Sequence, residues 1–158
     1  MRLLPSGVLA GFIGICLIAS VGQPAAAMDL TTHSMAGAAL GLKLGRTPLQ
    51  SFLIGMASHA VLDMMPHRSS RLDTPDAIAY TAGGAAVLYD RWRGSGWDSR
   101  VVWGAVGAVI PDVEHLSRKG KKVFPTHSGA LPHGHTERID VDIVLKWAID
   151  GLALRAMW

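Results

Sequence analysis

The chain has 158 residues, a length that suits one domain, and its 15 Lys and Arg against 12 Asp and Glu give a formal net charge of +3. The basic residues are scattered apart from one cluster at 118–122. No platform of aromatic and basic residues accompanies them, so nothing indicates a nucleic-acid-binding module. The single cysteine, Cys16, lies near the start, and the rest of the chain therefore offers no disulfide, no thiolate nucleophile and no thiolate metal ligand.

Residues 1–27 have the layout of a secretory signal peptide. Arg2 precedes an apolar stretch, and the small residues that follow end in three alanines at 25–27, a pattern typical of an Ala-x-Ala cleavage site. We therefore expect an exported protein of the periplasm or cell envelope, associated with the membrane, whose helical metal-binding domain spans 28–158. Two alternatives stay open, an uncleaved membrane anchor and a true start at Met28.

Helical patterns dominate the remaining sequence, and strand alternation is absent. This predicts an all-α fold, a small bundle of about five glycine- and alanine-rich helices. The first helix is expected over about 32–44, with Asp29 or Thr31 as its cap and Gly45 at its end.

Glycines recur every four residues along this first helix, at Gly37, Gly41 and Gly45. One face of the helix is therefore nearly bare, and a bare face lets another helix approach closely, in a bilayer or in a tight soluble bundle. Self-association of the chain through this glycine face is one expectation.

The second helix is predicted over about 48–65, because Thr47 is a natural N-cap, Pro48 suits the first helical position and Pro66 ends the helix. A third helix, over about 75–92, begins with the same threonine and proline signal.

The second half of the chain predicts two more helices, over about 99–109 and about 139–157. Between them, 117–138 has no helical period, and we interpret it as an ordered loop because histidines cluster in it. On the last helix, charged residues recur at spacing four and predict a solvated face, formed by Asp142, Lys146 and Asp150. The apolar side chains expected to face inward are Ile143, Trp147 and Leu154.

The apolar runs after Met28 are mostly shorter than the roughly 20 residues that a membrane span needs, and they carry His or Asp. A compact helical domain is therefore the favoured interpretation. The alternative is an integral membrane bundle whose ionisable groups face inward.

His59 and Asp63 are four residues apart on the second helix, so both side chains point to one side, one turn apart. An imidazole and a carboxylate on one face can chelate one cation, and they suit Zn²⁺ when thiolates are missing, as well as Mn²⁺ or Fe²⁺. The alternative is a hydrogen-bonded pair within the core.

Other histidines and aspartates lie at the edges of the remaining apolar segments. His33 opens the first helix, Asp112 and His115 follow Pro111, and a group in the long loop comprises His127, His133 and His135. Taken singly, these residues suit helix capping or a solvated loop. Because an unpaired buried carboxylate costs several kcal/mol, their combination predicts a divalent metal ion, with zinc favoured.

Four segments resemble signature segments of the membrane-bound metal-dependent hydrolase family, which is similar in motif style to zinc-dependent phospholipase C. They are MDLTTHSMAGAALG, GMASHAVLDMMPH, GAVIPDVEH and PTHSGALPHGH, and they cover most of 28–135. Their order differs from the family arrangement, because the helix with Ser-His-x-x-x-Asp comes first here. The positions that match the family motifs are His33, His59, Asp63, Asp112, His115 and His127.

This resemblance implies a metal-dependent hydrolase that acts on phosphoester bonds, in phosphodiesters or phospholipids, through a metal-activated water. The main ligands would be His33, His59, Asp63 and Asp112. His115 and His127 would complete a second metal position or carry protons. Glu114 is a candidate general base, and a solvent-facing side chain is its alternative role.

A second class of function stays open. The chain can be a non-catalytic envelope or membrane protein whose histidines and aspartates form a structural metal site or a polar network in the core.

Overall fold

The computed structural model describes residues 30–67, 98–116 and 122–157, together with positions 89, 93 and 96. The signal segment expected at 1–27 and nearly all of the predicted third helix lie outside these described residues. Within the described ranges, four side chains are also outside the description, those of His115, Leu116, Ile139 and Ile143.

The described part of the chain is all-α and contains no strand, as the sequence predicts. Its α-helices are α1 (Leu30–Leu44), α2 (Pro48–Asp63), α3 (Ser99–Val109) and α4 (Ile139–Met157), and a 3₁₀ helix (Ile110–Leu116) continues directly from α3. The bounds of α3 and α4 agree with the sequence prediction, and α1 begins two residues earlier than expected.

Side-chain caps explain where two of the helices begin. Thr47 has extended backbone angles (φ −132°, ψ 159°), and its hydroxyl accepts a hydrogen bond from the Gln50 N–H at 3.2 Å. Asp98 caps α3 in the same way, accepting from the Arg100 N–H at 2.9 Å. Thr31, one of the two caps expected for α1, instead lies within that helix.

Glycines allow α1, α2 and α3 to pack with their backbones almost in contact. A Cβ atom added at Gly37 would lie 2.5 Å from the Gly104 carbonyl oxygen, and one added at Gly41 would lie 2.7 Å from the Arg100 carbonyl oxygen. Gly55 of α2 meets the same Gly104 carbonyl oxygen. The close helix approach predicted from the glycine spacing is therefore present within one chain, whereas self-association stays a prediction.

The apolar core that accompanies this packing is built from small and flexible side chains. Met35, Ala38 and Ala39 of α1 lie against Ala105 of α3, and Ala153 and Met157 of α4 close the cluster. No helix in the described ranges combines the length and the apolar character needed to cross a membrane.

The orientation of α4 reverses the sequence prediction. The expected solvated stripe is buried, with Asp142 7%, Lys146 8% and Asp150 8% exposed, whereas Trp147 is 72% exposed. Leu154 does pack on the core, as predicted.

Polar partners explain why the charged face of α4 turns inward. Lys146 Nζ lies 3.0 Å from Asp142 Oδ2, and the hydroxyl of Thr32 on α1 donates to Asp150 Oδ2 at 3.4 Å. The spacing-four pattern located the stripe correctly, but periodicity alone does not reveal that the facing surface is polar.

Gly104→Ala should destabilise the fold, since a Cβ there would press on the Gly37 carbonyl oxygen and lie 3.1 Å from the Gly41 Cα. We expect the free energy of unfolding to fall by about 1–3 kcal/mol in urea titrations followed by circular dichroism. Gly151→Ala is the matched control, because nothing lies within 4 Å of that Cβ position on α4. It should stabilise the protein by about 0.5–1 kcal/mol, and equal effects of the two variants would contradict the packing argument.

Candidate metal centre

Five side chains from four parts of the chain meet between the helices, and we call them the His/Asp cluster: His33, His59, Asp63, Asp112 and His127. The side chains of His33, His59 and Asp63 have no exposed surface, and those of His127 and Asp112 are 1% and 10% exposed. All five were candidates from the sequence, and the fold brings them together.

Helical spacing directs the members on α1 and α2 toward one another. His33 precedes Gly37 by four residues, so it lies on the face of α1 that packs against α3. His59 and Asp63 are also four apart, and their side chains approach to 3.2 Å between Nε2 and Oδ2. The glycine contacts let the helices come close enough for these side chains to meet.

The distances between the polar atoms match those around one metal ion. Asp63 Oδ2 lies 3.2 Å from both His59 Nε2 and His127 Nε2, and the two nitrogens are 3.3 Å apart. Asp112 Oδ1 lies 3.8 and 3.7 Å from the same two nitrogens. Four ligands at about 2.1 Å from a tetrahedral ion would be roughly 3.4 Å apart.

His33 closes the cluster from the side of α1. Its Nε2 lies 3.4 Å from Asp63 Oδ1, and its ring stacks on that of His59 with centroids 4.2 Å apart. Nitrogens of His33 and His59 and an oxygen of Asp112 also lie within 4.8 Å of one another. The described residues therefore contain two overlapping groups that can hold a metal ion.

Several buried atoms of the cluster have no hydrogen-bond partner. Both ring nitrogens of His33 lack a hydrogen-bond partner, and so do Asp63 Oδ1 and Asp112 Oδ1. Each unpaired buried polar group costs roughly 1–3 kcal/mol, so these unpaired atoms mark a place where a ligand can bind.

Outer hydrogen bonds fix how two of the rings present their nitrogens. The Nδ1–H of His59 donates to the Ala108 carbonyl at 2.7 Å, and the Nδ1–H of His127 donates to Glu114 Oε1 at 2.7 Å. Because these oxygens can only accept, each neutral ring directs the lone pair of Nε2 into the cluster. Metal-binding histidines are oriented in this way.

Glu114 has a role that the sequence did not reveal. Besides His127, its carboxylate accepts hydrogen bonds from the Val123 N–H at 2.9 Å and the Phe124 N–H at 3.1 Å. Burial raises the pKa of Glu114, but these backbone donors and His127 lower it below its usual value. The side chain therefore positions His127 and does not simply face solvent, and a general-base role stays a prediction.

Burial and neighbouring charges set the protonation of the cluster. Burial, followed by the nearby His59, holds the pKa of His33 well below its ordinary value, which keeps the imidazole neutral. Burial also raises the pKa of Asp63, but the close approach of the His127 and His59 rings outweighs it and keeps the carboxylate ionised. Burial raises the pKa of Asp112 to about 6, despite the opposing influence of His59.

The remaining candidates divide into three cases. The side chain of His115 lies outside the description, so its predicted roles as ligand or proton carrier stay predictions. His135 is 53% exposed and pairs with Glu137, away from the cluster. His67 and His133 were not proposed as ligands from the sequence, yet His133 Nδ1 lies 3.8 Å from Asp63 Oδ2 and its ring is 4.9 Å from that of His67.

Comparisons of the chain with protein-family models, curated proteins and solved structures give no significant match.

Glu114→Ala should weaken metal binding by about 10–100-fold, because the Nδ1–H of His127 loses its acceptor. Glu114→Gln should recover part of the affinity, since its amide oxygen can accept the same hydrogen bond. Competition with a chromogenic chelator measures both affinities. Glu137→Ala is the control, because that side chain is 86% exposed and pairs with the outlying His135. Wild-type affinity in Glu114→Ala would contradict the positioning role.

Proposed function

We propose that the chain is a metal-dependent hydrolase acting on phosphoester bonds, with a divalent ion held by the His/Asp cluster. One observation carries the proposal. The Nε2 atoms of His59 and His127 lie 3.3 Å apart, and the Nδ1 hydrogen bond of each ring directs a lone pair toward the other ring. Two facing lone pairs repel unless a cation or a proton lies between them, and Asp63 supplies the matching negative charge.

The chemistry of the donors favours zinc. The cluster offers three imidazole nitrogens and two carboxylates, and no thiolate takes part. Such a set binds Zn²⁺ well and also accepts Mn²⁺ or Fe²⁺. His33, His59, Asp63, Asp112 and His127 would hold the ion, and its bound water would have a pKa lowered toward about 7, supplying hydroxide at neutral pH.

The chain's own residues hold this centre in place. The hydroxyl of Thr126, 3% exposed, donates to Asp63 Oδ2 at 2.5 Å and orients the carboxylate. Asp112 has the most exposed side chain in the cluster, so solvent and substrate would approach from its side. The rings of His33 and His59 stack and have no exposed surface, which keeps bulk water away from them.

The substrate class comes from the resemblance of the four sequence segments to the membrane-bound metal-dependent hydrolase family. Phosphodiesters and phospholipids share a phosphoryl group with negatively charged oxygens, and a divalent ion neutralises that charge as it develops in the reaction.

A non-catalytic role is the second candidate, and one observation favours it. Burial lowers the pKa of His59, but the hydrogen bond to Asp63 and the charge of Asp112 raise it above the ordinary value. A protonated His59 can therefore satisfy Asp63 without metal. In that case the cluster is a polar network in the core.

Metal content and turnover of the purified, untagged protein separate the two candidates. We expect bound zinc by elemental mass spectrometry and hydrolysis of a chromogenic phosphodiester. His59 and Asp63 meet at the centre of the cluster, so His59→Ala and Asp63→Ala should lose the metal. Turnover should fall by at least ~100-fold in both variants, because the metal-activated water is lost with the ion. His135→Ala, at an exposed site, should keep both.

Other outcomes decide against the hydrolase. A metal-free, folded protein that takes up no metal on titration would leave only the polar network. Bound metal without turnover, together with unfolding of Asp63→Ala, would identify a structural metal site.

Removal of the metal should also lower stability, because the ion binds the folded state only. At a free metal concentration 100 times Kd, binding adds about 2.7 kcal/mol, so treatment with EDTA should lower the melting temperature by several degrees. Asp63→Asn should not respond to EDTA, since it removes the central carboxylate charge while keeping the side-chain shape. An equal response of both proteins would show that the metal binds elsewhere.

A further inference from the structure

A second pair of histidines lies beside the His/Asp cluster, just after the end of α2. His67 is 1% exposed, and its ring meets that of His133 edge to face, with centroids 4.9 Å apart. His133 Nδ1 lies 3.8 Å from Asp63 Oδ2. The pair is therefore adjacent to a carboxylate that also belongs to the cluster.

Backbone hydrogen bonds hold the loop that carries His133 against the segment that carries His67. The Gly134 N–H donates to the Asp63 carbonyl at 2.7 Å, and the Thr136 N–H donates to the His67 carbonyl at 3.0 Å. A Cβ atom at Gly134 would lie 2.5 Å from the Met65 carbonyl carbon, so the loop lies directly on the chain after α2. These contacts place the two histidines side by side independently of any ligand.

The ring of His67 is oriented like two rings of the cluster, and that of His133 has an unpaired nitrogen. The Nδ1–H of His67 donates to the Met65 carbonyl at 2.9 Å, which leaves the Nε2 lone pair for a ligand. His133 Nε2 is buried and has no hydrogen-bond partner. An outer carbonyl acceptor such as that of His67 is what orients metal-binding histidines.

We propose that His67 and His133 hold a second divalent metal ion, with Asp63 as the carboxylate shared between it and the first. Two imidazoles and one carboxylate are three protein ligands, the number that catalytic zinc sites use while keeping a position open for water or substrate. The proposal rests on the proposed function and deepens it, because two metal ions about 3.5–4 Å apart can hold both the attacking and the leaving oxygen of a phosphoester.

Metal stoichiometry tests this second site directly. The full-length, untagged protein is stripped of metal, titrated with Co²⁺ and followed by visible absorption and equilibrium dialysis. We expect two equivalents for the wild type and one for His67→Ala and for His133→Ala. The matched control His135→Ala, in the same loop but 53% exposed, should keep two. Circular dichroism confirms folding, and His133→Ala covers the case in which loss of the buried His67 unfolds the protein.

Two results would overturn the second site. One is a wild type that binds a single equivalent, and the other is unchanged stoichiometry in both His67→Ala and His133→Ala. A single equivalent with phosphodiester turnover unaffected by His133→Ala would leave the proposed hydrolase intact. Two equivalents without turnover would support the second site and reject the hydrolase.

The electron paramagnetic resonance of the Mn²⁺-loaded protein tests the shared carboxylate. Two ions bridged by Asp63 should give an exchange-coupled spectrum, which His133→Ala should convert into that of an isolated ion. Uncoupled spectra at two equivalents would overturn the shared role of Asp63.

Discussion

The burial of one carboxylate, that of Asp63, organises the described structure. The side chain has no exposed surface, and it meets His33 from α1, His59 from its own helix, and both His127 and His133 from the loop. A carboxylate in such a place is tolerated only when hydrogen bonds and positive charge compensate for the lost hydration. The surrounding elements are therefore arranged to supply that compensation, whether the positive charge is a metal ion or a proton.

The glycines at the helix contacts make this arrangement possible. Gly104 of α3 contacts Gly37 of α1, and its carbonyl oxygen lies against Gly55 of α2, so three helices approach with almost no side chains between them. Imidazoles and carboxylates are short, and they reach one another across helices only if the helix axes are close. Small residues at the helix contacts thus bring the helices together, and the polar residues one turn away can then contact one another.

Local signals made much of this predictable from sequence. Thr47 begins α2 because its hydroxyl accepts a hydrogen bond from a backbone N–H, and spacing four placed His59 and Asp63 on one side of that helix. The predictions that failed concern features that are set by tertiary contacts. The charged stripe of α4 was expected in solvent, and the facing Thr32 and the Asp142–Lys146 pair explain why it is buried. Glu114 acts through residues nine and thirteen positions away, which no helical period connects.

The loop over 122–138 has an aromatic contact with the cluster through the ring of Phe124, which meets that of His59 edge-on with centroids 5.1 Å apart. Its other large apolar side chains are exposed, Val123 at 77% and Leu131 at 39%, whereas the polar side chains of Thr126 and His127 are buried. Beside the Phe124 contact, the loop is held by polar contacts, the hydrogen bond of Thr126 to Asp63 and those of the loop backbone to Glu114. The His/Asp cluster thus serves this part of the chain as its core, so the atoms that hold the loop in place are the same ones that can hold a metal ion.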